Sequence, residues 1–408
     1  MTAREYPVFT VTPKAERSLR AGHPWVYGEE VTAVEGAYQN GDIVDVVSNK
    51  GRYLGTGWVN DHSKIRVRII SRNANDTFDE AFFRRRVCYA LNYRKTVMGP
   101  VDYRCCRLIF GEADQFPGLT VDRFENILVT QVLSLGMERR KDWVYRALVE
   151  LLREDGEQID AIYERNDVAI RTLEGLEQGK GFYQMEGLRT DLSGHVTITE
   201  NRIKYDVDYM EGQKTGFFLD QKYNRQAAAK LARGRRVLDC FTHTGAFALN
   251  AAAAGAEHVT AVDVSAFALE LAAENGKRNG LTNLDYKCAD VFDLLTEMAK
   301  EKKCDYDYII LDPPAFTKSR ATAKNAYHGY KEINRKAMRL LPRGGYLATC
   351  SCSHFMTDEM FRKMLQEAAL DAGVTLRQIE ARQQAPDHPI LPEVPETDYL
   401  KFYLLQVV

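Results

Sequence analysis

Two cysteines lie two residues apart where a short apolar run ends. The stretch LLPRGGYLATCSCSHFM begins at Leu340 and turns polar around Cys350 and Cys352. A thiolate is a strong nucleophile and a metal ligand, so the pair could serve covalent catalysis, redox chemistry or metal binding, or only fill a core. A zinc site needs about four ligands in paired spacings, and the cysteines and histidines are too scattered to supply them. The sequence therefore predicts no metal site.

Four aspartates follow four successive apolar runs in the second half of the chain. Asp263 follows Asp239 at the spacing at which an acid accepts hydrogen bonds from ribose hydroxyls. Asp290 ends the third run, within reach of an adenine amino group, and Asp312 opens the stretch DPP after the fourth. A single aspartate after a strand is as often a helix cap. Four at successive strand ends favour S-adenosylmethionine as the cofactor.

The loop after the first apolar run, CFTHTG, is a poor match to a dinucleotide-binding motif. It has one glycine where GxGxxG has three, which disfavours a pyrophosphate cradle. A turn with Thr242, Thr244 and Gly245 can still bring backbone amides close to a smaller ligand.

Apolar strands alternate with helical stretches over residues 189–408. The strands RRVLDCF, HVTAVDV, LDYKCAD, YDYIILDPP and GGYLATCSC are each separated by a helix, which predicts a parallel sheet with helices on both faces. Two late strands joined by a Pro-rich loop predict an antiparallel final pair. This order is the seven-strand plan of class I methyltransferases rather than the six-strand dehydrogenase plan.

The first half of the chain has a different pattern. Residues 1–74 contain short strands, and the alternation in KIRVRII places Lys64, Arg66 and Arg68 on one face. That face is either a solvated strand surface or a phosphate-contacting surface. Residues 75–188 predict a small α+β domain whose first helix carries Arg84, Arg85 and Arg86.

Length and composition set outer limits on the class of protein. The 408 residues predict two or three domains, and 45% hydrophobic with 27% charged residues is typical of globular cores. A net charge of -2 gives no global attraction to nucleic acid or membrane. There is no apolar signal core and no membrane-length run, so we expect a cytoplasmic protein with no membrane partner.

Longer stretches resemble a known family over essentially the whole chain. VLDCFTHTGAFALNAAAAGAEHVTAVDVS, LDPPAFTKS and SCS resemble bacterial large-subunit ribosomal RNA cytosine-5 methyltransferases that carry an N-terminal PUA domain. GHPWVYGEEV is similar to the opening of that domain, and GQKTGFFLDQKYNR to the segment that covers the cofactor. The resemblance implies a PUA-like β-barrel over 1–74, a central α+β domain over 75–188 and a Rossmann-like methyltransferase domain over 189–408.

The resemblance also implies residue roles. Asp263 would bind the ribose, Asp290 the adenine, and Asp312 would face the target base. Cys352 would be the nucleophile, because in the wider family it lies seven residues after the second glycine of a GG pair, here Gly345. The residues that would hold the methionine moiety are Gln213, Asp220, Gln221, Arg225, Asp239, Thr242 and Gly245.

Ala315 marks one departure from the wider family. Those enzymes often have a second cysteine directly after the DPP-like turn, which helps to release the product, and Ala315 stands there. His243 and His354 flank the predicted site, and either could accept a proton. We interpret Cys350 as a packing residue.

The resemblance implies methylation of carbon 5 of a cytosine in large-subunit ribosomal RNA. The basic residues Lys64, Arg66, Arg68, Arg84, Arg85 and Arg86 become candidate phosphate contacts, and related chains can be homodimers. Two alternatives stay open. DPP turns also occur in enzymes that methylate purine nitrogens without a cysteine, and the chain could be a non-catalytic RNA-binding assembly factor with a relic methyltransferase domain.

Overall fold

The computed structural model describes residues 5–301, 304–317 and 319–408. Residues 1–4 of the predicted PUA-like domain and Lys318 of LDPPAFTKS lie outside those ranges. The chain forms two compact units. The first comprises residues up to Ile198, Val207–Leu219 and Pro386–Thr397, and the second comprises Thr199–Asp206, Asp220–Ala385 and Asp398–Val408. Throughout the described ranges, every helix is too short or too polar to cross a bilayer.

The first unit contains two sheets. Its early part is a six-stranded sheet with one short helix, made of β1 (Val8–Val11), α1 (Pro13–Arg20), β2 (Trp25–Tyr27), β3 (Val31–Glu35), β4 (Ile43–Ser48), β5 (Tyr53–Val59) and β6 (Ile65–Ser71). Its later part is a five-stranded sheet with three helices, made of α2 (Glu80–Val97), β7 (Cys105–Phe110), β8 (Leu119–Phe124), β9 (Ile127–Val132), α3 (Leu135–Glu138), α4 (Lys141–Glu154), β10 (Ala161–Asn166) and β11 (Gly179–Phe182). The alternation in KIRVRII predicts β6, which the structure confirms.

A two-stranded sheet leads from the first unit into the second. Its strands are β12 (His195–Glu200) and β13 (Ile203–Asp208). The second unit then alternates strands and helices, with bounds α5 (Lys222–Ala229), β14 (Arg236–Cys240), α6 (Ala246–Ala253), β15 (His258–Asp263), α7 (Ala266–Arg278), β16 (Leu284–Cys288), α8 (Val291–Glu301), β17 (Tyr308–Leu311), α9 (Ala323–Leu340), β18 (Tyr346–Ser351), α10 (Asp358–Ala372), β19 (Leu376–Arg382) and β20 (Lys401–Val407).

The seven-stranded sheet of the second unit has the order β16-β15-β14-β17-β18-β20-β19. Strands β14 to β18 pair in parallel, and β20 runs antiparallel to both β18 and β19. The predicted seven-strand plan with an antiparallel final pair is therefore confirmed. Strand order reverses between β14 and β17, and ligands of such sheets bind at that switch point, beyond the carboxyl ends of the strands.

Alternating side chains of the central strands fill two cores, one on each face of this sheet. Leu238 and Cys240 of β14 pack with side chains of α8, α9 and α10, whereas Val237 packs with side chains of α5 and α6. Strand β18 divides in the same way, with Leu347 on the first face and Cys350 on the second. Apolar cover on both faces leaves the polar strand ends as the place for chemistry.

Candidate active site

Five predicted residues lie at the ends of five neighbouring parallel strands. Asp239 is the second-to-last residue of β14, Asp263 is the last residue of β15, and Asp290 lies two residues after the end of β16. Asp312 directly follows β17, and Cys352 directly follows β18. Because parallel strands share one carboxyl edge, the sheet order places these residues in a row from Asp290 through Asp239 to Cys352.

Asp239 is buried, and its two carboxylate oxygens differ in their bonding. Its Oδ2 accepts hydrogen bonds from Thr242 Oγ1 at 2.6 Å and from the Ala248 amide at 2.9 Å. Its Oδ1 is also buried, yet no partner lies among the residues described. Burial raises the pKa of this carboxyl to about 7, helped by the charge of Asp312. A buried acceptor in this state fits the ammonium group of a ligand.

The loop between β14 and α6 holds two non-glycine residues in the left-handed region. Phe241 has a φ of 66° and His243 a φ of 50°. Such conformations persist where surrounding contacts enforce them, and they cluster at binding sites. Gly245 also has a positive φ, and a Cβ there would come within 2.8 Å of a Leu249 side-chain atom and 2.9 Å of the Ala272 Cβ. The structure thus gives Gly245 a packing role between α6 and α7, while Thr244 is half-buried in the same loop.

Asp263 and Asp290 orient the loops beside them. Asp263 accepts from the His243 amide on one oxygen and from the Ser265 amide on the other, both at 2.9 Å. Asp290 is exposed and its Oδ1 accepts from the Asp293 amide at 3.1 Å, which caps α8. Each carboxylate oxygen can accept more than one hydrogen bond, so both residues can also bind hydroxyl or amino groups.

Asp312 is held by a chain of amide side chains. Its Oδ1 accepts from Gln221 Nε2 at 3.0 Å, and the Gln221 Oε1 accepts from Asn224 Nδ2 at 2.7 Å. Arg382 in turn donates to Asn224 Oδ1 at 3.1 Å. Both ends of the Gln221 amide are therefore engaged in positioning Asp312. Burial, reinforced by the charge of Asp220, raises the pKa of Asp312 to about 6.

The two cysteines of the opening stretch have different surroundings. Cys350 is fully buried in the core that β18 forms with α5 and α6, which agrees with its interpretation as packing, and its thiol also hydrogen-bonds the Asp312 carboxyl. Burial raises the pKa of its thiol well above the ordinary value, and the nearby Asp312 charge adds to this. Cys352 is half-buried beyond the strand end. Of the two cysteines, Cys352 is the more exposed residue.

Four residues predicted to hold the methionine moiety precede β14. The Arg225 guanidinium forms a bidentate, fully buried pair with Glu200, at 2.7 and 2.9 Å. Asp220 Oδ2 accepts from the Tyr399 hydroxyl at 2.7 Å. Gln213 is exposed in a turn of the first unit, and its carbonyl accepts from the Gly216 amide at 2.8 Å. Cofactor contacts of these residues and of Gln221 stay predictions.

Sequence reasoning missed the partners that hold these side chains. Glu200, Asn224 and Lys401 come from a hairpin, a helix and the last strand, so no spacing rule connects them with the motifs. Lys401 could have been noticed in the sequence, because a lysine at the start of the apolar strand KFYLLQV is unusual. It is buried, and its Nζ donates to two backbone carbonyls.

The two histidines near the site are in unequal states. His243 is half-buried, and burial lowers the pKa of its imidazole, which keeps it a neutral potential proton acceptor at pH 7. The Nδ1 atom of His354 is buried, and it finds no partner within the described ranges. Both histidines stay candidates for proton transfer.

Four of the five arginines of the first unit that are predicted to contact RNA form ion pairs with carboxylates. Arg66 pairs with Asp61 at 2.9 Å and Arg85 with Asp76 at 3.2 Å. Two others each contact two glutamates, and these contacts are Arg68 with Glu112 and Glu174, and Arg84 with Glu150 and Glu154. Arg86 is buried, and its guanidinium donates to the Gln115 carbonyl at 3.3 Å. Lys64 is exposed at the start of β6.

Comparison with known families agrees with this fold. A family model described as S-adenosylmethionine-dependent methyltransferase matches residues 183–405, and a PUA-like domain model matches residues 9–72. The fold and the strand-end residues thus define a class I methyltransferase that depends on S-adenosylmethionine, joined to a PUA-like domain. The comparisons do not test the boundaries at 74 and 188, which stay predictions.

Relatives with curated names narrow the class further. A protein of Pseudoalteromonas atlantica named ribosomal RNA large subunit methyltransferase I is 40% identical over 401 residues, which is 98% of this chain and 99% of the relative. A relative of the same name from Shewanella denitrificans is 42% identical, over 97% of this chain and 98% of its own length. The chain belongs to the family of ribosomal RNA large subunit methyltransferase I.

Solved structures share the fold at lower sequence identity. A proposed SAM-dependent methyltransferase from Streptococcus mutans has a TM-score of 0.81 at 22% identity, covering 98% of this chain and 100% of that one. A proposed methyltransferase solved as a complex with SAH has a TM-score of 0.82 over the same shares. The comparisons contain no support for a homodimer, which stays a prediction.

Proposed function

We propose that this chain methylates carbon 5 of a cytosine in large-subunit ribosomal RNA, through a covalent bond to Cys352. The name of its relatives, ribosomal RNA large subunit methyltransferase I, supports ribosomal RNA as the substrate, and the PUA-like domain supports recognition of structured RNA. The observation that carries the cytosine-5 chemistry is the position of Cys352. It is half-buried and directly follows β18, which pairs with the strand that Asp312 follows, whereas Cys350 is fully buried. On this proposal the protein works in the cytoplasm.

Carbon 5 of cytosine is too weak a nucleophile to take a methyl group unaided. When the Cys352 thiolate adds to carbon 6, carbon 5 gains enamine character. Carbon 5 can then bond to the methyl carbon of the donor as the methyl–sulfur bond breaks, and the thioether leaves with that electron pair. The proton on carbon 5 then leaves to a base, and the electrons of that bond expel the thiolate, which restores the aromatic base and the enzyme. His243 and His354 are the candidate bases.

Asp312 has a matching role in this sequence of steps. Its pKa of about 6 makes the protonated form accessible near neutral pH, so it can donate a hydrogen bond to the ring nitrogen of the base. That bond stabilises the negative charge that develops as the thiolate adds. The Gln221 amide fixes the carboxyl in place, since it donates to Oδ1. The target base must leave its stack to reach this edge.

The cofactor residues follow the same sheet edge. When bound, S-adenosylmethionine would supply the electrophilic methyl group and the positive charge of its sulfonium. Asp239 Oδ1 would accept from its ammonium group, Asp263 from its ribose hydroxyls and Asp290 from its adenine amino group. The loop with Thr242, Thr244 and Gly245 would enclose the methionine moiety. Asp220, Gln221 and Arg225 would complete this wall, with Arg225 acting through its buried pair with Glu200.

The direct test is Cys352→Ala with Cys350→Ala as the matched control. We expect Cys352→Ala to lose 5-methylcytosine in large-subunit ribosomal RNA, measured by nucleoside mass spectrometry, while Cys350→Ala retains it. Methylation that survives in Cys352→Ala would favour a purine nitrogen as the target. Calorimetry that shows no binding of S-adenosylmethionine to the wild type would favour the relic assembly factor.

A further inference from the structure

Lys401 places a buried cation under the loop that carries Cys352. The residue is 4% exposed, and it pairs with Ser351 in the antiparallel ladder between β20 and β18. Its Nζ donates to the Ser353 carbonyl at 2.6 Å and to the Tyr399 carbonyl at 2.8 Å. Ser353 directly follows Cys352. Lysine is rarely this buried, because desolvation of an ammonium is costly.

Several charged or titratable groups surround this cation and the thiol. Asp398 on the segment before β20, Asp358 at the start of α10 and the thiolate form of Cys352 all act on the Lys401 ammonium. From α9, the Tyr330 hydroxyl feels the charge of Cys352. Cys350 of β18 does so as well.

We propose that Lys401 is a positioning residue for the nucleophile, which anchors the loop after β18 and stabilises the thiolate form of Cys352. This inference rests on the proposed role of Cys352 as the nucleophile. Lys401 touches neither the base nor the cofactor in this account, and it acts only through Cys352.

Reciprocity gives the direction of the effect. The thiolate of Cys352 raises the pKa of Lys401, so the ammonium lowers the pKa of the Cys352 thiol by the same interaction free energy. Burial brings the pKa of Lys401 down to about 8, and most of the side chain is therefore still charged at pH 7. The stabilisation is present at neutral pH and declines above pH 8, as the ammonium loses its proton.

A purely structural clamp makes a different prediction. If Lys401 only fastened two carbonyls, a neutral donor would replace it without changing the ionisation of the thiol. Lys401→Gln offers such a donor without the charge, Lys401→Arg keeps the charge, and Lys401→Met removes both.

Thiol reactivity as a function of pH distinguishes the two roles. The full-length protein is alkylated with iodoacetamide from pH 5.5 to 10, and peptide mass spectrometry follows Cys352, with the exposed Cys288 as internal reference. We expect the Cys352 midpoint to rise by about one pH unit in Lys401→Gln and Lys401→Met, and to stay in place in Lys401→Arg. The Cys288 profile should not change. Equal Cys352 midpoints in the wild type and Lys401→Gln would overturn the proposal.

A reciprocal measurement leaves Lys401 itself intact. In protein labelled with ¹³C at the lysine ε carbon, we expect the Lys401 titration midpoint by NMR to fall in Cys352→Ala, because the thiolate is gone. An unchanged midpoint would contradict the inference even if the Lys401 variants failed to fold. Neither experiment uses RNA, so their outcome is separate from the question whether the product is 5-methylcytosine.

Discussion

Asp239, at the carboxyl edge of the second unit's sheet, keeps a buried oxygen without a partner among the described residues, whereas Arg68 on β6 of the first unit contacts two carboxylates. From sequence alone both are charged residues at the positions that a binding motif needs. In the structure one is left with an unused hydrogen-bonding atom and a raised pKa, and the other is neutralised within its own unit. A buried hydrogen-bond acceptor without a protein partner, rather than the sign of the charge, distinguishes a ligand-binding residue from one that forms a structural ion pair.

The substitution with the largest expected effect removes the cation of a buried ion pair in the first unit. Arg68→Met leaves Glu174, which is buried, without its cation, and we expect a loss of about 3 kcal/mol in the free energy of unfolding. Urea unfolding followed by circular dichroism measures it. Lys64→Met, on the exposed position of the same stripe, should change stability by less than about 0.5 kcal/mol. Equal stability of the two variants would remove the distinction between the two regions.

The substitution with the next largest expected effect removes the Asp239 carboxylate. We expect Asp239→Asn to weaken binding of S-adenosylmethionine by roughly a hundredfold, because a carboxylate paired with an ammonium is replaced by a neutral amide. The unliganded variant should melt at the same temperature as the wild type or higher, since above pH 7 the ionised, buried Asp239 destabilises the fold. Calorimetric titration and a thermal melt decide this, and unchanged affinity would refute the assigned role.

The pH dependence of cofactor binding is a second test of the role of Asp239. The pKa of Asp239 lies at about 7 without a ligand, and an ammonium binds only the ionised form. The affinity for the cofactor should therefore be highest above pH 7 and should decrease below it, by up to about tenfold per pH unit. Below pH 7, binding of the cofactor should release a proton from Asp239. Titrations in buffers of different ionisation enthalpy detect that proton. A flat profile between pH 5.5 and 8 would show that Asp239 does not meet the cofactor.

The smallest effect concerns RNA. Lys64 is exposed, whereas Arg84 is engaged by Glu150 and Glu154. We expect Lys64→Glu to weaken ribosomal RNA binding several-fold. The slope of log K against log salt concentration should become smaller in magnitude by about one, the value for one phosphate contact. Arg84→Glu should weaken it less. Filter binding at several salt concentrations tests this, and a larger effect for Arg84 would show that its pairs open on RNA.

The sequence predicted more of the fold than of the site. Strand and helix alternation over 189–408 was enough to obtain the seven-stranded sheet, because each element carries its own apolar periodicity. The strand-end acids were predictable for the same reason, since each lies within two residues of the end of such a strand. Side-chain partners were not, because Gln221, Asn224 and Arg382 meet only after the chain has folded. The same holds for Arg225, whose buried pair with Glu200 no motif indicates.

Covalent trapping tests the central claim most directly. RNA that carries 5-fluorocytosine at the target position cannot release a proton from carbon 5, so a Cys352 adduct should accumulate when S-adenosylmethionine is present. We predict a protein–RNA band that survives denaturation in the wild type and in Cys350→Ala, with the crosslink mapped to Cys352 by mass spectrometry, and no band in Cys352→Ala. An adduct in Cys352→Ala, or methylation by wild-type protein without any adduct, would contradict the account.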